Sequence, residues 1–284
     1  MDKTRQTMID TNPITEIMGP YELGVLFEKG GHVPCDKAKA ADCYRLASES
    51  GEVRAMYRLA LLEMKKDPLA NAALMRKAAR LGNNDAAWWL AKKLFHGVIL
   101  PKDYDEAFFW LKELSFRDGL FPKSDFLMGL CYYNGYGTAV NYEAAVRMLF
   151  KALESSGRDK WGSVVSHSTD TQENRIKELS DTDIRAICRI LGECHYFGRG
   201  VGRDWSKALK YLLLAIQDEQ YLYPDKDVEY LIGTCYYYHR GTRQDIPTAL
   251  YWLIDAEQRG SMEAKLLLER RACRKRKRKI KDNE

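Results

Sequence analysis

Apolar side chains recur along this chain at helical spacing, in blocks separated by short polar stretches that carry glycine. Three blocks align without gaps: LMGLCYYNGYGTAVNYEAA (127–145), ILGECHYFGRGVGRDWSKA (190–208) and LIGTCYYYHRGTRQDIPTA (231–249). ELGVLFEKGGHVPCDKAKA (22–40) and WLAKKLFHGVILPKDYDEA (89–107) keep the same spacing. Take Gly24, Ala91, Gly129, Gly192 and Gly233 as zero. Offsets −3, −1 and +4 then share one face of a helix. Aromatic residues stand at −3 (Tyr21, Trp88, Phe126, Tyr230) and at +4 (Phe95, Tyr133, Tyr196, Tyr237). Each block therefore predicts a first helix, A, whose aromatic stripe brackets a small residue. Glycine inside a helix costs ~1 kcal/mol, so its recurrence there points to a close neighbouring helix.

The second half of each block predicts a turn and a second helix, B. Gly30, Gly97, Gly135 and Gly198 stand at +6, and Gly137, Gly200 and Gly241 at +8. Helices often end on a left-handed residue, where glycine is unstrained. Asp36, Asp103, Asn141, Asp204 and Asp245 follow at +12, and Ala40, Ala107, Ala145, Ala208 and Ala249 at +16. The +12 residue fits the N-cap of helix B, its side-chain oxygen accepting from a free backbone N–H. Asp103 with Glu106 reads as a capping-box variant. Helix B carries Trp110, Tyr211 or Trp252 in its middle and ends near Gly51, Gly82, Gly119, Gly157 and Gly260. A sixth, shortened copy begins at Ala60, with Tyr57 at −3 and its acid, Asp67, at +7. Eleven residues past each capping position come Ala47, Ala78, Leu114, Ala152, Ala215 and Ala256, which keeps Asp67 in the series. Without a glycine loop, that pair should be joined tightly.

The order aromatic, Leu-Gly, aromatic, Gly-x-Gly, Asp, Ala resembles the Sel1-like repeat family, most clearly over Trp88–Gly119 and Arg189–Ala215. The resemblance implies an all-α fold: a right-handed α-α superhelical solenoid of about six Sel1-like helix-pair repeats, related to tetratricopeptide arrays. It also implies adaptor or scaffold roles. Residues 1–18 are expected to be a lead segment, 19–268 the solenoid, and 269–284 a basic tail. The zero positions at 129 and 192 lie 63 residues apart against 31–41 elsewhere, so 158–183 is read as an inserted surface loop. Residues 261–273 begin a further helix, with Ala264, Leu266 and Leu268 expected on its packing face.

Charge changes the picture at one end only. The formal net charge is +5, but residues 269–284 alone carry nine Lys/Arg against three Asp/Glu, leaving the rest nearly neutral. Arg270, Arg271, Arg274, Lys275, Arg276, Lys277, Arg278, Lys279 and Lys281 are candidates for binding a polyanion, whether nucleic acid or another acidic surface. Seven cysteines form no CxxC pair, and Cys131, Cys194 and Cys235 recur at +2, where cysteine serves as a small apolar side chain. The first residues lack the apolar core of a secretory signal, and no apolar run is long enough to span a bilayer. The protein is expected in the cytoplasm, or in the nucleus if the tail is an import signal in a eukaryote.

Candidate chemistry is sparse. His32, His96, His167, His195 and His239 form no metal-ligand spacing and read as loop or helix-surface residues. GRGVG (198–202) lies between two helices, whereas a dinucleotide site needs a preceding strand. The +12 acids recur once per repeat, which suits capping rather than paired acid–base work. No catalytic residue, cofactor or metal is expected. The leading expectation is a scaffold that takes protein or peptide partners on a concave face. The +1 and +5 positions of helix A should line it: Lys92, His96, Leu130, Asn134, Glu193, Phe197, Thr234 and Tyr238. The alternative is a nucleic-acid-associated protein anchored by its tail.

Overall fold

A computed structural model of the chain describes residues 18–30, 33–117, 122–155, 179–216 and 225–281. Among the described residues there are thirteen α-helices and no strand. Residues up to Gly119 and from Leu120 onward form two compact units. The first holds three helix pairs: α1 (Pro20–Lys29) with α2 (Lys37–Glu49), α3 (Val53–Glu63) with α4 (Pro68–Arg80), and α5 (Asn84–His96) with α6 (Tyr104–Phe116). The second holds α7 (Pro122–Asn134) with α8 (Tyr142–Ser155), α9 (Asp181–Phe197) with α10 (Trp205–Ala215), α11 (Lys226–Tyr237) with α12 (Ile246–Gln258), and a last helix, α13 (Met262–Lys281). These are the A and B helices of six repeats. Within each unit successive helices pack together, so the core runs as a layer between A and B rather than as one central cluster.

The small zero position lets A lie against B. A methyl built on Gly129, Gly192 or Gly233 would stand 2.7–2.8 Å from Leu149, Leu212 or Leu253, each 20 residues further on. At Gly24 the same methyl would meet the Tyr44 ring at 2.6 Å. All six capping residues act as their offset predicts. Asp36, Asp67, Asp103, Asn141, Asp204 and Asp245 each accept from a backbone N–H in the first turn of helix B, at 2.9–3.1 Å. In the shortened copy only residues 64–67 separate α3 from α4.

Some expectations are corrected. Glu106 does not close a capping box with Asp103. Its carboxylate takes Nε and Nη2 of Arg76 at 2.6 and 2.7 Å and the indole N–H of Trp110 at 3.1 Å. The full box lies at the start of α9, between Ser180 and Asp183. Leu179 is buried and Asp181–Asp183 begin α9, so the end of the expected insertion is built into repeat five. The rest of it, 158–178, and residues 1–17 lie outside the described residues. On α13, Ala264, Leu267 and Leu268 pack inward while Leu266 is exposed. Spacings of three and four, not two, share a helix face. The basic segment continues α13 as helix as far as Lys281.

All seven cysteines are free thiols. Cys43, Cys131, Cys188, Cys194 and Cys235 are buried, while Cys35 and Cys273 are exposed. Burial pushes the thiols of Cys131, Cys194 and Cys235 up to about 12. A thiolate-directed reagent should therefore label two cysteines in the native protein and the other five only after denaturant. Rapid native labelling of any buried cysteine would contradict this packing.

Candidate functional site

The expected surface positions divide by offset. At +5, His96, Asn134, Phe197 and Tyr238 are exposed, the last two by 42% and 48%. Phe197 and Tyr238 stand edge-on to Tyr196 and Tyr237, with centroids 4.9 and 4.8 Å apart. His96 packs edge-on to Phe95 in the same way, at 5.2 Å. Asn134 donates its amide to the carbonyl of Leu130 one turn back. At +1 only Lys92 is exposed, Leu130 and Glu193 are partly buried, and Thr234 is buried. Thr234 thus does not line an open groove, because helix A of the preceding repeat covers it.

That cover is a specific latch. The Tyr196 hydroxyl lies 2.8 Å from Thr234 Oγ1, whose own proton goes to the Leu231 carbonyl at 2.7 Å. Tyr196 therefore donates to Thr234 and accepts from Arg240 Nη1. One repeat earlier, the Tyr133 hydroxyl donates to Glu193, which also holds Arg189 Nη1 at 2.9 Å. In both cases the tyrosine at +4 reaches +1 of the next repeat. The loops add a second tie. The Arg199 guanidinium lies over the rings of Phe197 (4.7 Å) and Tyr142 (5.5 Å). Arg240 lies over Tyr238, Trp205 and Tyr196, at 5.0–5.5 Å. Arg199 and Arg240 both stand at +7, Tyr142 and Trp205 both at +13 of the repeat before. Sequence reasoning misses these four residues. The signal that could reveal them is the recurrence of the same pair of types at the same two offsets.

A third tie is steric. A methyl on Gly200 would fall 2.3 Å from the Tyr142 carbonyl carbon, and one on Gly241 equally close to that of Trp205. The +8 glycine is therefore where a loop lies against the first turn of the preceding helix B.

This periodic construction matches the Sel1 repeat family model six times, over residues 21–52, 53–83, 84–114, 122–156, 188–218 and 227–261. The chain belongs to the Sel1 repeat family. Its six Sel1 repeats coincide with the six helix pairs. Among solved structures it is similar to a protective antigen present in uropathogenic Escherichia coli strains displaying an SLR fold, at 20% identity and a TM-score of 0.51. That likeness covers 92% of this chain and 49% of the antigen, so this chain spans about half the antigen's length. It is also similar to a Sel1 repeat protein from Oxalobacter formigenes, at 18% identity and a TM-score of 0.46, covering 90% of this chain and 67% of the other. The likeness to the antigen concerns the fold alone. No curated protein matches at a significant level.

Among the described residues no three His, Cys, Asp or Glu side chains are grouped closely enough to hold a metal ion. His195 departs from the expected surface placement. It is buried, stacked on Tyr211 at 5.7 Å, and burial lowers its pKa, favouring the neutral ring. No helix among the described residues is long and apolar enough to cross a membrane.

The last Sel1 repeat buries a carboxylate. Glu229 is 1% exposed, with Arg259 Nε at 3.1 Å from Oε1 and no hydrogen-bond partner at Oε2. Burial, reinforced by Asp255, raises its pKa from 4.5 to about 7. A carboxyl raised on folding binds its proton more tightly in the native state, so its contribution favours folding at low pH. That contribution is lost as pH rises through the window from 4.5 to about 7. Glu229→Gln should flatten the dependence, with a difference on the order of 2 kcal/mol between about pH 5 and pH 8. Denaturant titrations of both proteins at the two pH values check it, and parallel pH profiles would contradict it.

Proposed function

We propose that this chain is a non-catalytic scaffold that binds protein or peptide partners on the exposed ends of its A helices. The observation that carries this reading is the recurrence of exposed +5 side chains beside a buried or partly buried +4 aromatic, with Phe197 and Tyr238 left open in consecutive repeats. Exposed aromatic residues next to arginine are the composition of interface hot spots. The test is affinity capture from native lysate with the wild-type chain and with His96→Ala, Asn134→Ala, Phe197→Ser and Tyr238→Ser combined. All four sites are exposed, so melting should change little while captured proteins fall at least fivefold. Unchanged capture by the variant would overturn this placement of the surface.

A second reading rests on the tail. Nine of the twelve residues 270–281 are Lys or Arg, and the segment extends α13. Such a segment suits nucleic acid or another polyanion, bound with steep salt dependence. Deleting 269–284 should abolish any such binding and leave melting nearly unchanged, because Ala264, Leu267 and Leu268 remain to close the last repeat. Equal binding of an oligonucleotide by the truncated chain would remove the tail from the account. A cytoplasmic location accompanies the scaffold reading, and a nuclear one the tail reading.

A further inference from the structure

The loop rim of repeats five and six concentrates charge that the fold does not neutralise. Residues 198–203 and 239–244 contain Arg199, Arg203, Arg240 and Arg243 and no acid. Among the described residues, none of the four has a carboxylate within ion-pair distance. The nearest acids in sequence, Asp204 and Asp245, are turned into helix N-termini, accepting from Lys207 N and Thr248 N. The preceding loop, 135–141, carries no charge, so the basic rim is confined to two repeats. Beside it stand the exposed rings of Phe197 and Tyr238.

We propose that this rim binds an extended peptide carrying two acidic side chains three residues apart, with apolar side chains between or beside them. The proposal rests on the scaffold reading and names its partner. Arg199 and Arg240 hold equivalent places in consecutive repeats, and the Tyr196–Thr234 bond joins the two A helices through their side chains. Packed helices lie about 8–10 Å apart. An extended chain in the polyproline II form turns once every three residues and rises about 3.1 Å per residue, so side chains three apart share one face and match that step. Each guanidinium lies over aromatic rings, and its remaining N–H donors suit a carboxylate. Arginine already lies over one face of the Phe197 and Tyr238 rings, the face a stacking nucleobase would compete for, while the rest of each ring stays open to an apolar side chain. A two-repeat rim is also short beside the charged track that single strands follow.

The experiment pans a random decapeptide phage library on the full chain and measures enriched peptides by fluorescence anisotropy. Enrichment of Asp or Glu at i and i+3, with binding that weakens as NaCl rises, is expected. Arg199→Gln with Arg240→Gln should weaken binding at least tenfold, and Phe197→Ser with Tyr238→Ser about as much. Arg199 and Arg240 also tie repeats together, so a third variant is needed whose side chain is free to change. Arg243 is exposed, and Arg243→Glu should fold and still lose several-fold. The proposal is overturned if no acidic peptide is enriched, if enriched peptides bind all three variants as well as wild type, or if oligo(dT) binds the rim more tightly than they do. Enriched peptides that lack acids and ignore these variants would sink this inference and leave the scaffold reading standing.

Discussion

Gly241→Ala should destabilise the second unit by about 3 kcal/mol or more, although it adds a single methyl group. Two independent costs combine. Gly241 has φ +73°, and an L-residue in the left-handed region costs roughly 1–2 kcal/mol. Its methyl would also meet the backbone of Trp205 and Ser206 at 2.3–2.4 Å, and backbone at a helix N-terminus cannot turn aside as a side chain can. The loop must lift, and with it go the Arg240 stack and the Tyr196–Thr234 latch. A fall in melting temperature of roughly 6–12 °C is expected, and Gly200→Ala should behave alike. His239→Gly should move the other way. His239 has φ +58° at the +6 position where Gly198 and Gly135 stand, so glycine relieves strain worth about 1 kcal/mol. If Gly241→Ala melts with wild type, the close approach between consecutive repeats is wrong.

Trp110→Ala should destabilise the first unit by about 3–5 kcal/mol, the range for emptying a buried tryptophan site. Trp110 is 2% exposed in α6 and heads the largest buried side chains. It also has a polar task, since its indole N–H bonds to Glu106, the carboxylate that holds Arg76 of the preceding repeat by two short bonds. Trp110→Phe separates the two roles. It keeps most of the ring volume and removes one hydrogen bond to a charged group, so about 1.5–3 kcal/mol is expected. Urea titration of the three proteins checks the order. Equal losses for Ala and Phe would mean that the hydrogen bond, not the packing, carries the site.

The repeat register is legible in the sequence because each offset answers a separate physical demand. Gly192 must admit Leu212, Asp204 must cap α10, and Gly198 must end α9 in a left-handed turn. Each demand narrows the residue type at one position, and six copies make it visible. Ties between consecutive repeats are harder to see, because they join residues about 35–60 apart. Nothing in the local pattern at Thr234 says that Tyr196 will cover it, so the +1 face reads as solvent-facing until the next repeat is placed. The Arg240 stack is hidden likewise, since a loop arginine looks like any solvated charge. Leu266 is misplaced when alternation stands in for helical spacing. The +5 residues Phe197 and Tyr238 can be found from sequence because nothing beyond their own helix end determines their exposure.

On the scaffold proposal, partners meet the exposed ends of the A helices and not the solvent-exposed faces of the B helices. Site-specific photocrosslinking tests it whatever the partner's identity. A benzophenone amino acid would replace Phe197 or Tyr238 on the A helices, or Phe109 or Tyr251 on the B helices, all four being exposed aromatic positions. Irradiation in native lysate should give discrete protein adducts from positions 197 and 238 and none above background from 109 and 251. Adducts from 109 and 251 instead, or equally from all four, would contradict the account.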